Sequence, residues 1–328
     1  MTSANRFTID GVDRIKFAVE KLDDACRFAT DWGLTRIDSG DASSKLFRTA
    51  DGSEVEIVET DLSVSGRRPI INASGLCEIT WGVTDPDGLA RLGDMLSKDR
   101  EVSVDAAGGL HTVDDLGIPI AFRMTRRHTV VLEPTRFNSP GRPDRINSRA
   151  PRYEAAQPTE ISHMAIGVDN AGDASRFYIE RLGFIVSDHY ANRGMFLRCA
   201  PRGNHHHLFF MNGKAPGTRF NHLAFKVRDI HEVIGGGQRL DGLGWKTFAG
   251  PGRHTVSSAC FWYFNTPLGC AWEYAADEDI VTETWETKDF AATADIFSEW
   301  TFGLEKSDGR LRGPIAHSKD APIEKTKS

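Results

Sequence analysis

The chain has 328 residues, 40% of them hydrophobic and 26% charged, with a formal net charge of −6. This is the composition of a soluble globular protein with two ordinary-sized domains and real cores, and the balance excludes a basic nucleic-acid surface. The first residues lack the apolar core of a signal peptide, and no apolar run is long enough to span a bilayer.

Four segments in succession share one plan: a strand, a turn rich in aspartate, a helix, then further strands. In the first, residues 14–19 read as a strand and Asp23-Asp24 as helix-capping residues. Ala25, Phe28, Ala29 and Trp32 then follow at helical spacing, and Gly33 ends the helix. Strands near 46–49 and 54–59 complete the unit. The second opens with strand 78–83. Asp85-Pro86 starts a helix with the stripe Leu89, Leu92 and Leu96, and strands follow near 118–124 and 129–132. Residues 134–159, rich in Pro, Arg, Asn and Ser, read as an interdomain connection lying along a domain surface.

The third unit has strand 161–168, then a helix from Ala174 with Phe177, Tyr178 and Leu182 on one face. Strands near 184–186, 195–199 and 206–211 follow. In the fourth, strand 220–227 precedes Asp229 as a cap and a helix with Ile230, Val233, Ile234, Gly237 and Leu240 on one face. Gly235-Gly236-Gly237 costs that helix stability, ~1 kcal/mol per glycine relative to alanine. A glycine-rich turn at 250–255, an aromatic strand at 261–264, the turn 265–269 and a strand ending at Tyr274 close the unit. Beyond, 296–302 is apolar enough to pack on a domain, and the charged tail from Lys306 is expected to be mobile.

A period of about 60 residues suggests duplication within each half. The expected fold class is α+β: two domains whose sheets curl and enclose a site, each sheet covered on one face by helices. The expected boundaries are 1–133, the connection 134–159, a second domain 160–280 and the tail 281–328. The five cysteines (Cys26, Cys77, Cys199, Cys260, Cys270) are odd in number with no Cys-x-x-Cys pair, which favours reduced thiols in a cytoplasmic protein.

Three strands carry a charged or metal-ligating side chain beside small residues. Strand side chains alternate faces. His163 therefore shares a face with Ala165 and Gly167, His222 with Ala224, and Glu273 with Ala271 and Ala275. Two histidines and one carboxylate so placed fit the facial triad of non-haem iron(II) sites. Singly, each histidine reads better as a hydrogen-bonded structural residue. The agreement of three positions on matching strands carries the assignment. The first half is an internal control. If Val83 is laid on Val227, Glu78 falls at the His222 position, no histidine occurs between Val12 and Glu20, and Glu133 stands near the Glu273 position.

Units three and four also contain Gly-Arg-His-Thr (252–255), Phe-Trp-Tyr (261–263), Asn-Thr-Pro-Leu-Gly (265–269) and Trp-Glu-Tyr (272–274). With these motifs the chain resembles the type I extradiol catechol dioxygenases of the vicinal oxygen chelate superfamily. The resemblance implies two domains of two βαβββ modules each, with the metal in the second: iron(II), or alternatively manganese(II), held by His163, His222 and Glu273. It implies that His254 and Tyr263 contact the substrate and that His206 is the acid–base histidine, with His205 or His207 as the one-residue alternatives. At least one of these three is expected to face solvent. A histidine has a pKa suited to handing a proton to a reacting oxygen. Ser257 departs from the family pattern, which has an aspartate there in several relatives.

The implied activity is ring cleavage of a catechol or related dihydroxy-aromatic by dioxygen. The implied partners are that substrate and dioxygen, with no nucleic acid or membrane and with a homo-oligomer. Two competing readings share the superfamily. A glyoxalase-like isomerase or lyase needs two glutamates at its metal. A metal-free binding module has no need for the triad. Phe196, Phe209, Phe210, Phe248 and Trp245 are candidate pocket residues for which a core role is the default.

Overall fold

The computed structural model of the chain describes residues 8–40, 43–63, 75–213, 216–291, 296–304 and 311–314. The first half forms one sheet from β1 (Ile9–Val19), β2 (Thr35–Ile37), β3 (Ser44–Arg48), β4 (Glu54–Glu59), β5 (Leu76–Val83), β6 (Ser103–Val104), β7 (Leu110–Val113) and β8 (Pro119–Met124). Its order is β2-β3-β4-β1-β5-β8-β7-β6. Helices α1 (Leu22–Asp31) and α2 (Pro86–Leu96) follow β1 and β5. Asp85 precedes α2, as expected. Asp23 and Asp24 lie inside the first turn of α1, where they favour the helix dipole without capping it. No strand forms at 129–132, where Val131 and Leu132 are exposed.

The connection holds a short hairpin, β9 (Asn138–Ser139) with β10 (Arg142–Pro143), and is mostly exposed. Ala156 and Pro158 are its buried residues. The second half contains β11 (Glu160–Val168), α3 (Ala171–Arg176), β12 (Ile185–Tyr190), β13 (Gly194–Arg198), β14 (Gly203–Asn204), β15 (Leu208–Asn212) and β16 (Arg219–Lys226). After these come α4 (Ile230–Gly242), β17 (Thr247–Arg253), β18 (Cys260–Asn265), β19 (Ala271–Ala276), β20 (Ile280–Val281), β21 (Asp289–Phe290), β22 (Trp300–Leu304) and β23 (Leu311–Pro314). Eleven of the strands make one sheet, β21-β12-β13-β15-β11-β16-β19-β18-β17-β22-β23. Helix α3 starts three residues before the expected Ala174, capped by the Asn170 side chain, and passes into a π turn at Phe177–Arg181. Asp229 caps α4 through the N–H groups of His231 and Glu232. The tail at 305–310 and 315–328 lies outside the described residues.

The duplication is visible in the hydrogen bonding. In each half an antiparallel central pair (β1 with β5, β11 with β16) is flanked by parallel partners (β4 and β8, β15 and β19). The same register shift occurs in both: Val12↔Trp81 then Arg14↔Thr80, and Ile161↔Phe225 then His163↔Ala224. The parallel partners extend the match, Thr80↔Ala121 against Ala224↔Glu273. The positions of His163, His222 and Glu273 in the first half are thus Arg14, Glu78 and Ala121. Glu133 lies off the sheet and is not the counterpart of Glu273.

Helices from each half pack on the other. Trp32, at the end of α1, stacks on Tyr274 at 3.8 Å, and Phe28 meets Trp272 edge-on at 5.3 Å. In the reverse direction Trp81 of β5 packs on Phe184 at 5.0 Å, and the Tyr178 hydroxyl donates to Asp114 at 2.9 Å. The large rings on the outer faces of the strands therefore share one apolar core across both halves, which leaves the inner faces free for chemistry. The three glycines of α4 are explained by close approach. A Cβ on Gly235 would lie 2.8 Å from the Tyr153 carbonyl oxygen, one on Gly236 2.6 Å from Ala156 Cβ, and one on Gly237 2.0 Å from the Trp262 ring. The connection and β18 press on α4 where only glycine fits.

Candidate metal centre

Strands β11, β16 and β19 are neighbours, and their register brings three side chains together on the inner face. His163 pairs with Ala224, Ala224 with Glu273, and His222 lies opposite Ala165 on one side and Ala271 on the other. Small residues surround the three, and Met164, Leu223, Trp272 and Tyr274 point to the apolar side. His163 Nε2 stands 3.3 Å from Glu273 Oε2, His222 Nε2 stands 3.4 Å from the same oxygen, and the two Nε2 atoms are 3.3 Å apart.

The Glu273 side chain is fully buried, and neither carboxylate oxygen has a hydrogen bond among the described residues. A buried unpaired carboxylate is strongly unfavourable. Donors bound at ~2.0–2.2 Å to a single cation lie roughly 3.0–3.6 Å from one another, so the observed triangle fits a divalent metal. Protonation states agree. Burial depresses His222 to about 3, overriding the nearby carboxylate, so its ring is neutral at pH 7. Burial opposes ionisation of Glu273, but contacts with His163 and His254 outweigh it and hold the carboxyl below its ordinary range. His222 Nδ1 is 2.9 Å from Asn221 Oδ1, which directs a proton to Nδ1 and frees Nε2 for a metal. Asn221 thus orients its neighbour.

The triad opens on a cavity of about 400 Å³. Phe196, Phe209 and Phe248 line it, with Tyr190, Val256 and Phe297. Phe210 is instead core, and the Trp245 indole donates to Asp31 and packs on Phe28. His254 and Tyr263 stand on one wall, their Nε2 and hydroxyl 2.9 Å apart, with His254 Nε2 3.5 Å from Glu273 Oε1. His254 Nδ1 donates to the Phe297 carbonyl at 2.9 Å. The segment ahead of β22 therefore supports this wall, and β22 itself hydrogen-bonds to β17. Ser257 is buried and also lines the cavity.

The three consecutive histidines behave differently from expectation: all are buried. They precede β15, which begins at Leu208, so strand alternation does not apply to them. His206 lines the cavity with its ring 4.0 Å from that of His163. His205 Nε2 meets Asp188 Oδ2 at 2.8 Å, and His207 Nδ1 accepts from the Cys199 N–H at 3.4 Å. Burial pushes His206 well below its ordinary range and His207 down to about 4, so both are neutral at pH 7.

Sequence reasoning missed Glu278. It is buried, with Oε1 3.3 Å from His206 Nδ1 and Oε2 accepting from Ser162 Oγ at 3.2 Å. His163, His206 and Glu278 form a second close group of donors that shares only His163 with the triad. Both groups found among the described residues lie in the second half. In the first half Glu78 is paired with His111 at 2.8 Å, so His111 also has a constellation the sequence did not reveal.

Residues 160–274 match the Glyoxalase/Bleomycin resistance protein/Dioxygenase superfamily. Metapyrocatechase 2 of Cupriavidus necator is 32% identical over 145 residues, which is 44% of each chain, so the matched part spans less than half the length of that relative. Among solved structures, an Mn(II)-bound glyoxalase from Novosphingobium aromaticivorans superposes with a TM-score of 0.70 at 22% identity, covering 95% of this chain and 96% of that one. A homoprotocatechuate 2,3-dioxygenase from Arthrobacter globiformis gives 0.69 at 18% identity, over 96% and 98%. At these identities the likeness establishes the fold: two large curled mixed sheets with, among the described residues, four α-helices.

Proposed function

We propose that this chain is a non-haem iron(II) extradiol dioxygenase that cleaves the ring of a catechol or related dihydroxy-aromatic. The observation that supports it most is the fully buried, unpartnered Glu273 carboxylate beside two histidine Nε2 atoms, facing an aromatic-lined cavity. His163, His222 and Glu273 would hold the metal, which when bound supplies Lewis acidity and redox access to dioxygen beside a deprotonated catechol. The chain's own part is binding, orientation and proton handling. The flat walls of Phe196 and Phe209, stacked at 4.0 Å, suit an aromatic ring and exclude water. His254 and Tyr263, tied to one another and to the tail segment, present a fixed pair of polar groups for a substrate oxygen. Burial holds the Tyr263 hydroxyl well above its ordinary pKa, so it acts as a hydrogen-bond donor. His206, whose ring lies 4.0 Å from that of His163, is the residue assigned to move a proton.

The support for two domains, 1–133 and 160–280, is the separate sheet in each half. No helix of the described residues is long and apolar enough to cross a membrane, and Cys26, Cys199, Cys260 and Cys270 are free thiols. Both fit a cytoplasmic enzyme, with a homo-oligomer as its expected form.

Glu278 supplies the second buried glutamate that a glyoxalase-like reading requires, and one structural relative is described as a Mn(II)-bound glyoxalase. Glu278 stands, however, in a different donor group from Glu273, which favours the dioxygenase. The deciding experiment loads the protein anaerobically with Fe(II) or Mn(II) and then measures dioxygen uptake with mono- and bicyclic catechols. Stoichiometric uptake with a ring-opened product is expected. A fully metal-loaded protein that consumes no dioxygen with any of them would contradict the proposal.

A further inference from the structure

We propose that Asp188, His205 and Glu278 act together as positioning residues that fix the tautomer of His206, holding its proton on Nδ1 and leaving Nε2 as a proton acceptor for the cavity. The inference rests on the reading of His206 as the proton-handling group and adds what sets its state.

The chain of contacts begins at a backbone amide. Lys288 N–H donates to Asp188 Oδ1 at 2.7 Å, and Asp188 Oδ2 lies 2.8 Å from His205 Nε2. Both side chains are removed from water, His205 at 0% and Asp188 at 2% exposure. A carboxylate only accepts, so His205 Nε2 carries a hydrogen. In the neutral ring His205 Nδ1 is then bare. That atom lies 3.1 Å from His206 Nδ1, and the contact is attractive only if His206 supplies the hydrogen.

A doubly protonated His205 would reverse the pattern by donating to His206. Glu278 opposes this. Its Oε1 stands 3.3 Å from the same His206 Nδ1, oriented by the Ser162 hydroxyl on its other oxygen. A bare Nδ1 is repelled by this nearby carboxylate, whereas Nδ1–H hydrogen-bonded to His205 is also attracted electrostatically to Glu278 Oε1, which has no hydrogen bond of its own among the described residues. One hydrogen-bond acceptor and one nearby carboxylate, far apart in sequence, thus favour a hydrogen on the same nitrogen, and Nε2 is left for the cavity His206 lines. The proton balance closes without an outside source. Nε2 takes one proton from a substrate hydroxyl, the ring becomes imidazolium, and the same proton is returned to the reacting oxygen.

The test uses the full chain with ¹⁵N-labelled histidine, loaded with Zn(II) as a diamagnetic ion, and reads the His206 tautomer from nitrogen shifts and two-bond proton couplings. Wild type is expected to show Nδ1–H, and Nε2–H at His206 would overturn the proposal outright, with no variant needed. In Asp188→Asn the amide oxygen keeps the Lys288 N–H, so the NH2 turns to His205 Nε2. That moves the His205 proton to Nδ1 and drives the His206 proton to Nε2. The expected result is a swapped His206 tautomer, with kcat of the iron-loaded enzyme reduced ~10²–10⁴-fold and KM little changed. Asp188→Glu, which keeps the carboxylate, should recover much of the rate. An unswapped tautomer in Asp188→Asn would overturn the role of Asp188. A swapped tautomer with unchanged kcat would uphold the tautomer lock and overturn the catalytic reading of His206.

Discussion

Glu273 holds a charge where water cannot reach it, and neither of its oxygens has a hydrogen bond among the described residues, which places a demand that a cation would meet. Glu273→Ala removes both the charge and the reason for a cation. We predict that it loses stoichiometric iron and ring cleavage while staying folded, as read by metal content, turnover and circular dichroism. Stoichiometric iron with near-normal turnover would refute the assignment. The remaining polar groups divide by side. His206→Asn should lower the single-turnover rate with dioxygen by ~10²–10⁴-fold with little effect on anaerobic catechol affinity. His254→Asn should weaken that affinity by ~1–3 kcal/mol. Poor binding by His206→Asn with normal turnover at saturation would reverse these roles. The triad was legible because alternation along a strand is a local property. Glu278 was not: it sits between Asp277 and Asp279 in an acidic run, and only its approach to Ser162 and His206 distinguishes it from a solvated charge. The triple histidine misled for a related reason, since those residues precede their strand.

At the scale of elements, the duplicated β1–β5 and β11–β16 pairs show what one scaffold does with and without a candidate metal triad. Arg14 occupies the position of His163 and donates to Glu54 at 2.9 and 2.6 Å, and Arg48 and Arg123 reach the same carboxylate at 2.8 and 3.0 Å. A fixed protein cation thus neutralises the inner face of the first sheet. Burial opposes ionisation of Glu54, but the three guanidinium groups prevail and lower it from 4.5 to about 2. A lowered carboxylate contributes stability that is whole above its unfolded pKa and is lost as pH falls. We predict that Glu54→Gln destabilises the chain by about 2–4 kcal/mol at pH 7, and that the gap from wild type closes between pH 4.5 and about 2. Denaturant titrations at several pH values measure it; a gap independent of pH would show that the network is not electrostatic in origin. The repeat and most helices were legible from period and caps. The strand at 129–132 was not formed, because the apolar run there has no neighbouring strand to complete its hydrogen bonds.

Across the whole molecule, the apolar core passes from one half to the other through Trp32, Phe28, Trp272 and Tyr274. The Tyr274 hydroxyl also donates to the Trp32 carbonyl at 2.7 Å. Tyr274 and Glu273 are adjacent, so the face that packs on α1 is the reverse side of the strand face that carries the Glu273 carboxylate. Trp32→Ala should cost about 3–5 kcal/mol and also weaken iron retention in the second half, although Trp32 lies in the first. Unaltered iron affinity in a destabilised variant would separate the two. This dependence could not be read from the sequence, which shows Trp32 only as the end of an amphipathic helix and not what that helix covers.

The central claim is that one metal binds in the second half and none in the first. Crystals of the protein loaded anaerobically with Fe(II) should show, in an anomalous difference map at the iron edge, a single strong peak per chain within bonding distance of His163 Nε2, His222 Nε2 and a Glu273 oxygen. No peak at that triangle, or one of equal strength beside Arg14 and Glu78 in the first sheet, would contradict it.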